Sequence, residues 1–494
     1  MSGERVRVRL EPLGVEFDVE RGGELVSALS EHGVEFPCGA SGHCGGCGVQ
    51  VRTGWLAATR ADREIFTEEE LSDGWRLACQ ARPEISLVLE CGQWHMDVLA
   101  DDAMLPSAGR KGLGIAIDLG TTTIAAQLID RAHGEVLAVD TALNPQAVFG
   151  SDVMSRIRAA LEGADLTTPI RTSLGEMVRR LVQGRADAVA EVVLVGNTVM
   201  HHLFSGCPVE ALAAAPFESA HLGEQMFAPA DLRWELPDRC TVRFARCLGG
   251  FVGSDILAGI VAVGMHRSAE LLALVDLGTN GEIAIGNCDG IVCASTAAGP
   301  AFEAGAIRMG MRAATGAIAH VSVLNGALHA TVIGGGAPRG ICGSGLVDAV
   351  AAGLETGAIQ ASGRIADGSK RFPITGPVVL QQADVRELQL AKGAIAAGFG
   401  ILLRRLGASA GDLQAVHLAG AFGNYVQIAS ALRIGLLHAE TGQIHAAGNT
   451  ALRGAKLLLT APEPMLPQIE HFSLAADPAF QDEFAESMRF PAEA

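Results

Sequence analysis

Four cysteines stand in a pattern that can hold iron. Cys38, Cys44 and Cys47 form a C-x5-C-x2-C run within Phe36-Pro-Cys-Gly-Ala-Ser-Gly-His-Cys-Gly-Gly-Cys-Gly-Val-Gln50, and Cys79 follows in Arg76-Leu-Ala-Cys-Gln-Ala-Arg82. Four thiolates spaced three plus one satisfy a [2Fe–2S] cluster, two per iron. The interleaved glycines suit a loop whose backbone must turn sharply and bring N–H groups close to sulfur. A zinc ribbon asks for two C-x2-C pairs, and this stretch holds one. The remaining seven cysteines, Cys91, Cys207, Cys240, Cys247, Cys288, Cys293 and Cys342, show no repeated ligand spacing. In a reducing compartment they read as small core residues.

A second set of residues suits phosphate. Gly114-Ile-Ala-Ile-Asp-Leu-Gly-Thr-Thr-Thr-Ile-Ala-Ala-Gln-Leu-Ile-Asp130 reads as a strand ending at Asp118, a tight Gly-Thr turn and a returning strand. Leu274-Val-Asp-Leu-Gly-Thr-Asn-Gly-Glu-Ile-Ala-Ile285 is a near copy, 158 residues on (276 − 118). The shared core is [IV]-D-L-G-T-[TN]. Gly120 and Gly278 let backbone N–H groups face phosphate oxygens; Thr121, Thr122, Thr279 and Asn280 add polar groups. Asp118 and Asp276 can hold hydrated Mg²⁺. One such hairpin is an ordinary β-turn; the repeated pair reads as an internal duplication. A third piece, Ala415-Val-His-Leu-Ala-Gly-Ala-Phe-Gly-Asn-Tyr425, is an apolar strand running into a glycine-rich turn at Gly420 and Gly423, with a helix after it.

The elements that must position these groups follow from patterning. At 494 residues the chain exceeds one core, so two or three domains are expected. Alternation over Val6 to Leu10 and Val15 to Val19 around Pro12-Leu-Gly14 predicts a hairpin. Gly23 to Gly33 predicts a short helix, Gly48 to Arg52 a strand after the cysteine loop, and Ile85 to Glu90 a closing strand. Residues 93–112 lack a period and carry Pro106, Gly109 and Gly112, the composition of a linker. Glu387 to Leu406 reads as a long core helix. The stretches Val195-Gly-Asn-Thr-Val-Met-His-His-Leu203, Thr296 to Gly305 and Gly334 to Gly345 either line a cleft or form tight turns; His201 and His202, adjacent, read as structural.

Composition narrows the function. Net charge is −18, and one Tyr and four Trp leave few aromatics for base stacking, which argues against nucleic acid or an anionic membrane as partner. No apolar run reaches membrane-spanning length and no signal-peptide pattern opens the chain, so a cytoplasmic location is expected. Residues 1–92 carry nine basic and sixteen acidic residues, either a solvated surface or a docking face for an electron-transfer partner.

The hairpin, helix, cysteine loop and closing strands over residues 1–92 resemble the β-grasp [2Fe–2S] ferredoxin, in the adrenodoxin-like variant with the longer loop. The two Asp-Leu-Gly-Thr hairpins with the Gly420/Gly423 turn resemble the acetate and sugar kinase, Hsc70 and actin superfamily. That resemblance implies two RNase H-like subdomains with ATP in the cleft between them. It carries Asp118, Gly120, Thr121 and Thr122 over as a first phosphate motif and Asp276, Gly278 and Thr279 as a second. Gly420 and Gly423 correspond to the adenosine turn. Either aspartate can hold the metal or orient the attacking water.

The combination, with Gly196-Asn197-Thr198 and Ala298-Gly-Pro-Ala-Phe-Glu303, resembles the ATP-dependent reductive activators of corrinoid proteins over nearly the whole chain. The resemblance implies a ferredoxin domain (1–92), a linker (93–112) and an actin-like ATPase domain (113–494), with subdomains at about 113–268 and 269–465 and a tail at 466–494. It implies one-electron reduction of Co(II) to Co(I) on a corrinoid methyltransferase protein, coupled to ATP hydrolysis. An external electron donor would recharge the cluster, and the ATPase domain is a candidate homodimer surface. Relatives with a further domain between ferredoxin and ATPase are unlike this chain, which has room there only for a linker. A redox-regulated small-molecule kinase, or a nucleotide-binding regulatory or scaffold protein, is the alternative reading.

Overall fold

The computed structural model describes residues 4–12, 14–32, 34, 36, 40, 42, 47–91, 109–150, 152–278, 280–462 and 464–492. Cys38, Cys44, Thr279 and residues 93–108 of the expected linker lie outside them.

In the N-terminal part, β1 (Arg5–Glu11) buries Val6, Val8 and Leu10 and exposes the arginines between them, the period-two pattern of a half-buried strand. It pairs antiparallel with β2 (Val15–Glu20), as expected. Then come α1 (Val26–Glu31), β3 (Gly48–Thr53), α2 (Arg60–Ile65), α3 (Glu68–Ser72), β4 (Trp75–Leu77) and β5 (Leu87–Cys91). The sheet order is β2-β1-β5-β3-β4, with β1 and β5 parallel. The closing strand starts at Leu87 rather than at the exposed Ile85. The short helices α2 and α3 were not expected. Each begins with a capping box, Thr59 with Asp62 and Thr67 with Glu70, a T-x-x-[DE] signature that stands in the sequence.

The rest is built on two six-stranded sheets. The first contains β6 (Leu113–Leu119), β7 (Thr123–Asp130), β8 (Glu135–Leu143), β9 (Val189–Val195), β10 (Gln225–Phe227) and β11 (Thr241–Phe244), in the order β10-β11-β9-β6-β7-β8. Between them run α4 (Val153–Leu161), α5 (Thr167–Val182), α6 (Thr198–Ser205) and α7 (Pro229–Leu232), and α8 (Ser254–Ala262) follows. The second contains β12 (Leu271–Leu277), β13 (Gly281–Asn287) and β14 (Gly290–Thr296). A small sheet of β15 (Ala317–Leu324), β16 (Ala327–Val332) and β17 (Gly340–Ile341), then α9 (Gly343–Glu355) and the hairpin β18 (Arg371–Thr375) and β19 (Val378–Gln381), interrupt it. It resumes after α10 (Gln382–Arg405) with β20 (Leu413–Ala419), α11 (Gly420–Tyr425), α12 (Ile428–Arg433), β21 (Ile444–Gly448), α13 (Thr450–Thr460), β22 (Ile469–His471) and α14 (Phe480–Ser487). Its order is β21-β20-β12-β13-β14-β22.

Within each sheet, three antiparallel strands in sequence are extended by two further strands parallel to the first: β8-β7-β6-β9-β11 in one, β14-β13-β12-β20-β21 in the other. The duplication read from the two hairpins is therefore a duplication of sheet topology. The long core helix is α10, and the C-terminal residues pack on it: Lys392 Nζ donates to the Arg489 carbonyl at 2.6 Å and Gln389 Nε2 to that of Met488 at 2.8 Å.

The glycine-rich stretch Gly334 to Gly345 is not uniform. Gly334, Gly335 and Gly336 have left-handed backbone (φ 74°, 72° and 81°), and the turn they make presents Arg339. Arg339 pairs with Glu70 of α3 and lies 5.6 Å from the Phe66 ring centroid, joining the N-terminal sheet's helices to the second half. Both charged side chains are about four-fifths buried there. Arg339→Ala should remove this contact, giving a larger radius of gyration by small-angle X-ray scattering; an unchanged radius would show that the pair does not hold the two parts together.

Candidate functional site

At one end of the N-terminal sheet, Cys47 immediately precedes β3 and Cys79 lies in a 3-10 turn (Ala78–Gln80) after β4. β3 and β4 pair through Gly48 and Leu77, and the Ala78 N–H donates to the Cys47 carbonyl at 3.0 Å. Two of the four expected ligands thus come to the same strand ends, both buried. Of the loop carrying the other two, Ala40 and Gly42 are described, with left-handed backbone (φ 63° and 79°). Soft thiols gathered at one sheet end beside a left-handed loop fit a thiolate-bound iron centre. Asp62 supports this end: its carboxylate accepts from the Thr59 N–H and, at 2.6 Å, from the Leu77 N–H, two residues before Cys79. Of the other cysteines, Cys91, Cys240, Cys247, Cys293 and Cys342 are buried as expected, whereas Cys288 is exposed at the turn after β13. Burial pushes the Cys247 and Cys293 thiols up to about 12, far from thiolate chemistry.

The second site lies where the two large sheets meet. Asp118 and Asp276 occupy the same position in the two copies, one residue before the ends of β6 and β12. Gly120 closes the first turn by donating its N–H to the Thr123 carbonyl, and a Cβ there would stand 2.6 Å from that oxygen. In the copy the Gly278 N–H donates to the Asn280 carbonyl, one position short of the counterpart of Thr123. Thr121 Oγ1 accepts from Asn197 Nδ2 at 2.9 Å, while Thr122 offers its carbonyl to the Asn144 N–H. Asn197 also caps α6, so Gly196-Asn197-Thr198 is a helix start rather than a plain turn. Gly420 has φ 81°, and a Cβ on it would lie 2.6 Å from Asp276 Oδ1. The expected glycine turn before a helix is itself the first turn of α11, because Gly420 opens that helix directly after β20. The stretches Thr296 to Gly305 and Gly334 to Gly345 meet beside it: a Cβ at Gly343 would stand 1.7 Å from the Phe302 carbonyl, and Phe302 and Phe422 rings lie 4.8 Å apart. His201 and His202 are buried in α6, with His202 held between the Thr198 carbonyl and Ser219 Oγ, as structural residues.

Three residues complete this site that the motifs did not single out. Asp255 stands in the first turn of α8, whose start is tied to Gly196: the Ser254 N–H donates to the Gly196 carbonyl at 2.9 Å. Glu282 is buried directly across from Asp276 in the β12–β13 ladder. Asn449 caps α13 and donates its Nδ2 to Asp118 Oδ2 at 2.8 Å. Glu282 was within the quoted hairpin copy, in Thr-Asn-Gly-Glu, and Ser-Asp after Gly-Gly-Phe-Val-Gly is a helix-start signal; Asn449 had only its cap position.

The electrostatics are those of crowded carboxylates. Burial raises Asp118 to about 6, against the hydrogen bond from Asn449. Burial and then Asp118 raise Asp276 to about 7. Burial, then Asp276 and Asp118, raise Asp255 to about 8. Glu282 goes well above its usual range, through burial and then Asp255 and Asp276. The groups opposing these shifts are Asn449, Ser295 and backbone N–H donors; no guanidinium or ammonium of the described residues is among them. Among the described residues no three His, Cys, Asp or Glu side chains are grouped closely enough to hold a metal ion by themselves, so a divalent metal at these hard oxygens would draw further ligands from a phosphate chain.

Because these folded-state values lie above the unfolded ones, the folded protein binds extra protons between roughly pH 4 and pH 8, and stability falls as pH rises through that window. The nucleotide-free protein should therefore melt lower at pH 8 than at pH 6 by calorimetry. Mg²⁺ should restore more stability at pH 8, and Asp255→Asn should flatten the slope. A melting temperature that rises over this range would contradict the carboxylate cluster.

Comparison with known proteins converges on one family. A family model described as the C-terminal domain of RACo, the ASKHA domain, matches residues 270–494. The RACo middle region matches 113–268, and a 2Fe-2S iron-sulfur cluster binding domain matches 8–84. The chain is 36% identical over 417 residues to a protein named corrinoid activation enzyme RamQ, from Eubacterium limosum, covering 76% of this chain and 70% of that one. It is 30% identical over 383 residues to a [Co(II) methylated amine-specific corrinoid protein] reductase from Methanosarcina barkeri, covering 70% and 69%. The solved structure of a reductive activator for corrinoid, iron-sulfur protein superposes with TM-score 0.65 at 26% identity, covering 99% of this chain and 98% of that one. Among the described residues no helix is long and apolar enough to cross a membrane.

Proposed function

This chain belongs to the RACo family, and from that premise we propose that it reduces the Co(II) corrinoid of a methyltransferase partner to Co(I) by one electron, at the expense of ATP. The observation that carries the reading is the union, in one chain, of a thiol-bearing ferredoxin sheet with a duplicated carboxylate cleft. A small-molecule kinase has no use for the first, and a simple electron carrier has none for the second.

The division of labour follows from energetics. When bound, the [2Fe–2S] cluster supplies a single electron at low potential, roughly −400 mV for plant-type centres. For a one-electron step each ~100 mV uphill costs about 2.3 kcal/mol, by ΔG = −nFΔE. We assign Cys38, Cys44, Cys47 and Cys79 to the iron. In the cleft, Gly120, Thr121, Thr122, Gly278, Thr279 and Asn280 are the phosphate-facing turns, and Gly420 and Gly423 the adenosine turn. Asp118 and Asp276 would hold Mg²⁺ or orient the attacking water, and Asp255 and Glu282 would be neighbouring carboxyl groups that give up protons to such a cation. Asn449 fixes the carboxylate of Asp118 by its hydrogen bond. Nucleotide binding can bias the conformation only by its differential affinity for the two states. We assign the chain to the cytoplasm. The same reading takes an external donor to recharge the cluster and a homodimer through the ATPase half.

The test is an anaerobic assay with a purified corrinoid protein, following Co(I) absorbance. Reduced wild type with MgATP should form Co(I), and omitting either ATP or reductant should stop it. Asp276→Ala should lower ATP hydrolysis at least tenfold while leaving the visible spectrum of the ferredoxin domain intact. Equal rates with and without ATP would remove the energetic coupling. Phosphorylation of a small metabolite by the cluster-free protein would move the assignment to a kinase.

A further inference from the structure

Gln80 immediately follows Cys79, and its side chain turns back over the cysteine loop. Nε2 lies 3.3 Å from the Ala40 carbonyl and 3.6 Å from Cys79 Sγ. A primary amide nitrogen carries two hydrogens, and here each has an acceptor: one a backbone oxygen, the other a sulfur. Both partners accept, so the amide's nitrogen rather than its oxygen must face them. The neighbouring backbone is shaped around this amide. A Cβ at Gly42 would stand 2.8 Å from Nε2 and 2.9 Å from Cδ, so the loop passes where only glycine leaves room, in a left-handed conformation that also favours glycine. Gln80 thus does two things at once: it ties the loop between the first two cysteines to the strand end that carries the fourth, and it aims an N–H at one of the thiols.

We propose that Gln80 is a positioning residue that sets the reduction potential of the iron–sulfur centre, by donating a hydrogen bond to the sulfur of Cys79. The proposal rests on the assignment of Cys79 as an iron ligand. Reduction adds one electron to a centre whose negative charge is shared by its sulfurs. A donor on one sulfur stabilises the reduced form more than the oxidised, so it raises the potential. An activator that must push electrons uphill has a reason to keep this donor in check, because a higher potential makes the cluster easier to load and harder to discharge. Gln80 sits on that trade-off: its removal should give a stronger reductant that its donor loads less readily.

The experiment is a spectroelectrochemical titration of the full chain, purified anaerobically, wild type against Gln80→Leu and Gln80→Met. Leu and Met keep the apolar volume and remove the donor. At a fixed applied potential the reduced-to-oxidised ratio should fall by about tenfold in both variants, equivalent to a negative shift of ~59 mV for one electron. Iron and sulfide content and the melting temperature serve as controls for a merely structural effect. Full cluster content with an unchanged midpoint in both variants would overturn the proposal. Should both variants lose the cluster, the wild type decides alone. Protein labelled with ¹⁵N in its glutamine side chains should show a ¹⁵N hyperfine coupling in the reduced state that unlabelled protein lacks, and absence of that coupling overturns the proposal. A wild-type protein with no visible spectrum would instead refute the cluster assignment on which it stands.

Discussion

The larger part of this protein places four carboxyl groups where burial disfavours their charge. Burial raises the proton affinity of Asp118, Asp255, Asp276 and Glu282, and repulsion adds to it: Asp118 acts on Asp276 and Asp255, Asp276 on Asp255 and Glu282, and Asp255 on Glu282. Each of these carboxylates therefore costs free energy when it is ionised without a counter-charge. Were a divalent metal to bind here, protons would leave as it arrived. The groups opposing the carboxylate shifts are an amide, a hydroxyl and backbone N–H groups, which orient without neutralising.

Two sheets bring the four carboxylates together, and neither sheet does so alone. Asp118 comes from the first, Asp276 and Glu282 from the second, and Asp255 from α8, which packs against both. Ala258 of α8 contributes to the core beneath the first sheet, while Ile256 and Ile260 belong to the core beneath the second. Likewise α13, which follows the second sheet's β21, lays Ala451, Leu452, Ala455 and Leu459 on the first. The two helices cross at near-contact of backbones: a Cβ at Gly454 would stand 2.0 Å from the Ala258 carbonyl. Small residues at a crossing permit such an approach, and any side chain larger than glycine would drive the helices, and with them the sheets, apart.

What could be read from the chain and what could not divides along the same line. The ferredoxin hairpin, the two Asp-Leu-Gly-Thr turns and the core helix α10 are local patterns, in which periodicity or a turn residue determines the element. The first two carboxylates were legible because they sit inside a repeated local motif. Asp255 and Asn449 were not, since each is unremarkable in its own segment, one an acid in a helix's first turn, the other a helix cap. Their meaning comes from topology: Asn449 reaches an aspartate 331 residues away. Glu282 lay inside the quoted motif and was passed over because alternation along a strand assigns a residue to a face without saying what faces it. The helices α2 and α3 carried their capping boxes in plain view, yet at six and five residues they were too short for a helical period to show.

The placement of Asp255 and Asn449 has a mechanical consequence. Both stand at helix starts, on the two helices that cross between the sheets, and both bear on the strand-end carboxylates: Asp255 through its charge interactions with Asp276 and Asp118, Asn449 through its bond to Asp118. A rotation of one sheet against the other about the α8–α13 crossing would change the spacing of Asp255 from Asp118 and Asp276 and strain the Asn449 bond. A divalent cation bound between the carboxylates would relieve their repulsion, whereas a phosphate chain, itself an anion, would be held there only together with such a cation. Whatever bias a nucleotide exerts is bounded by the difference in its affinity for the conformations it meets. The ferredoxin part meets the second half through Arg339, Glu70 and Phe66, at the glycine-rich turn before α9.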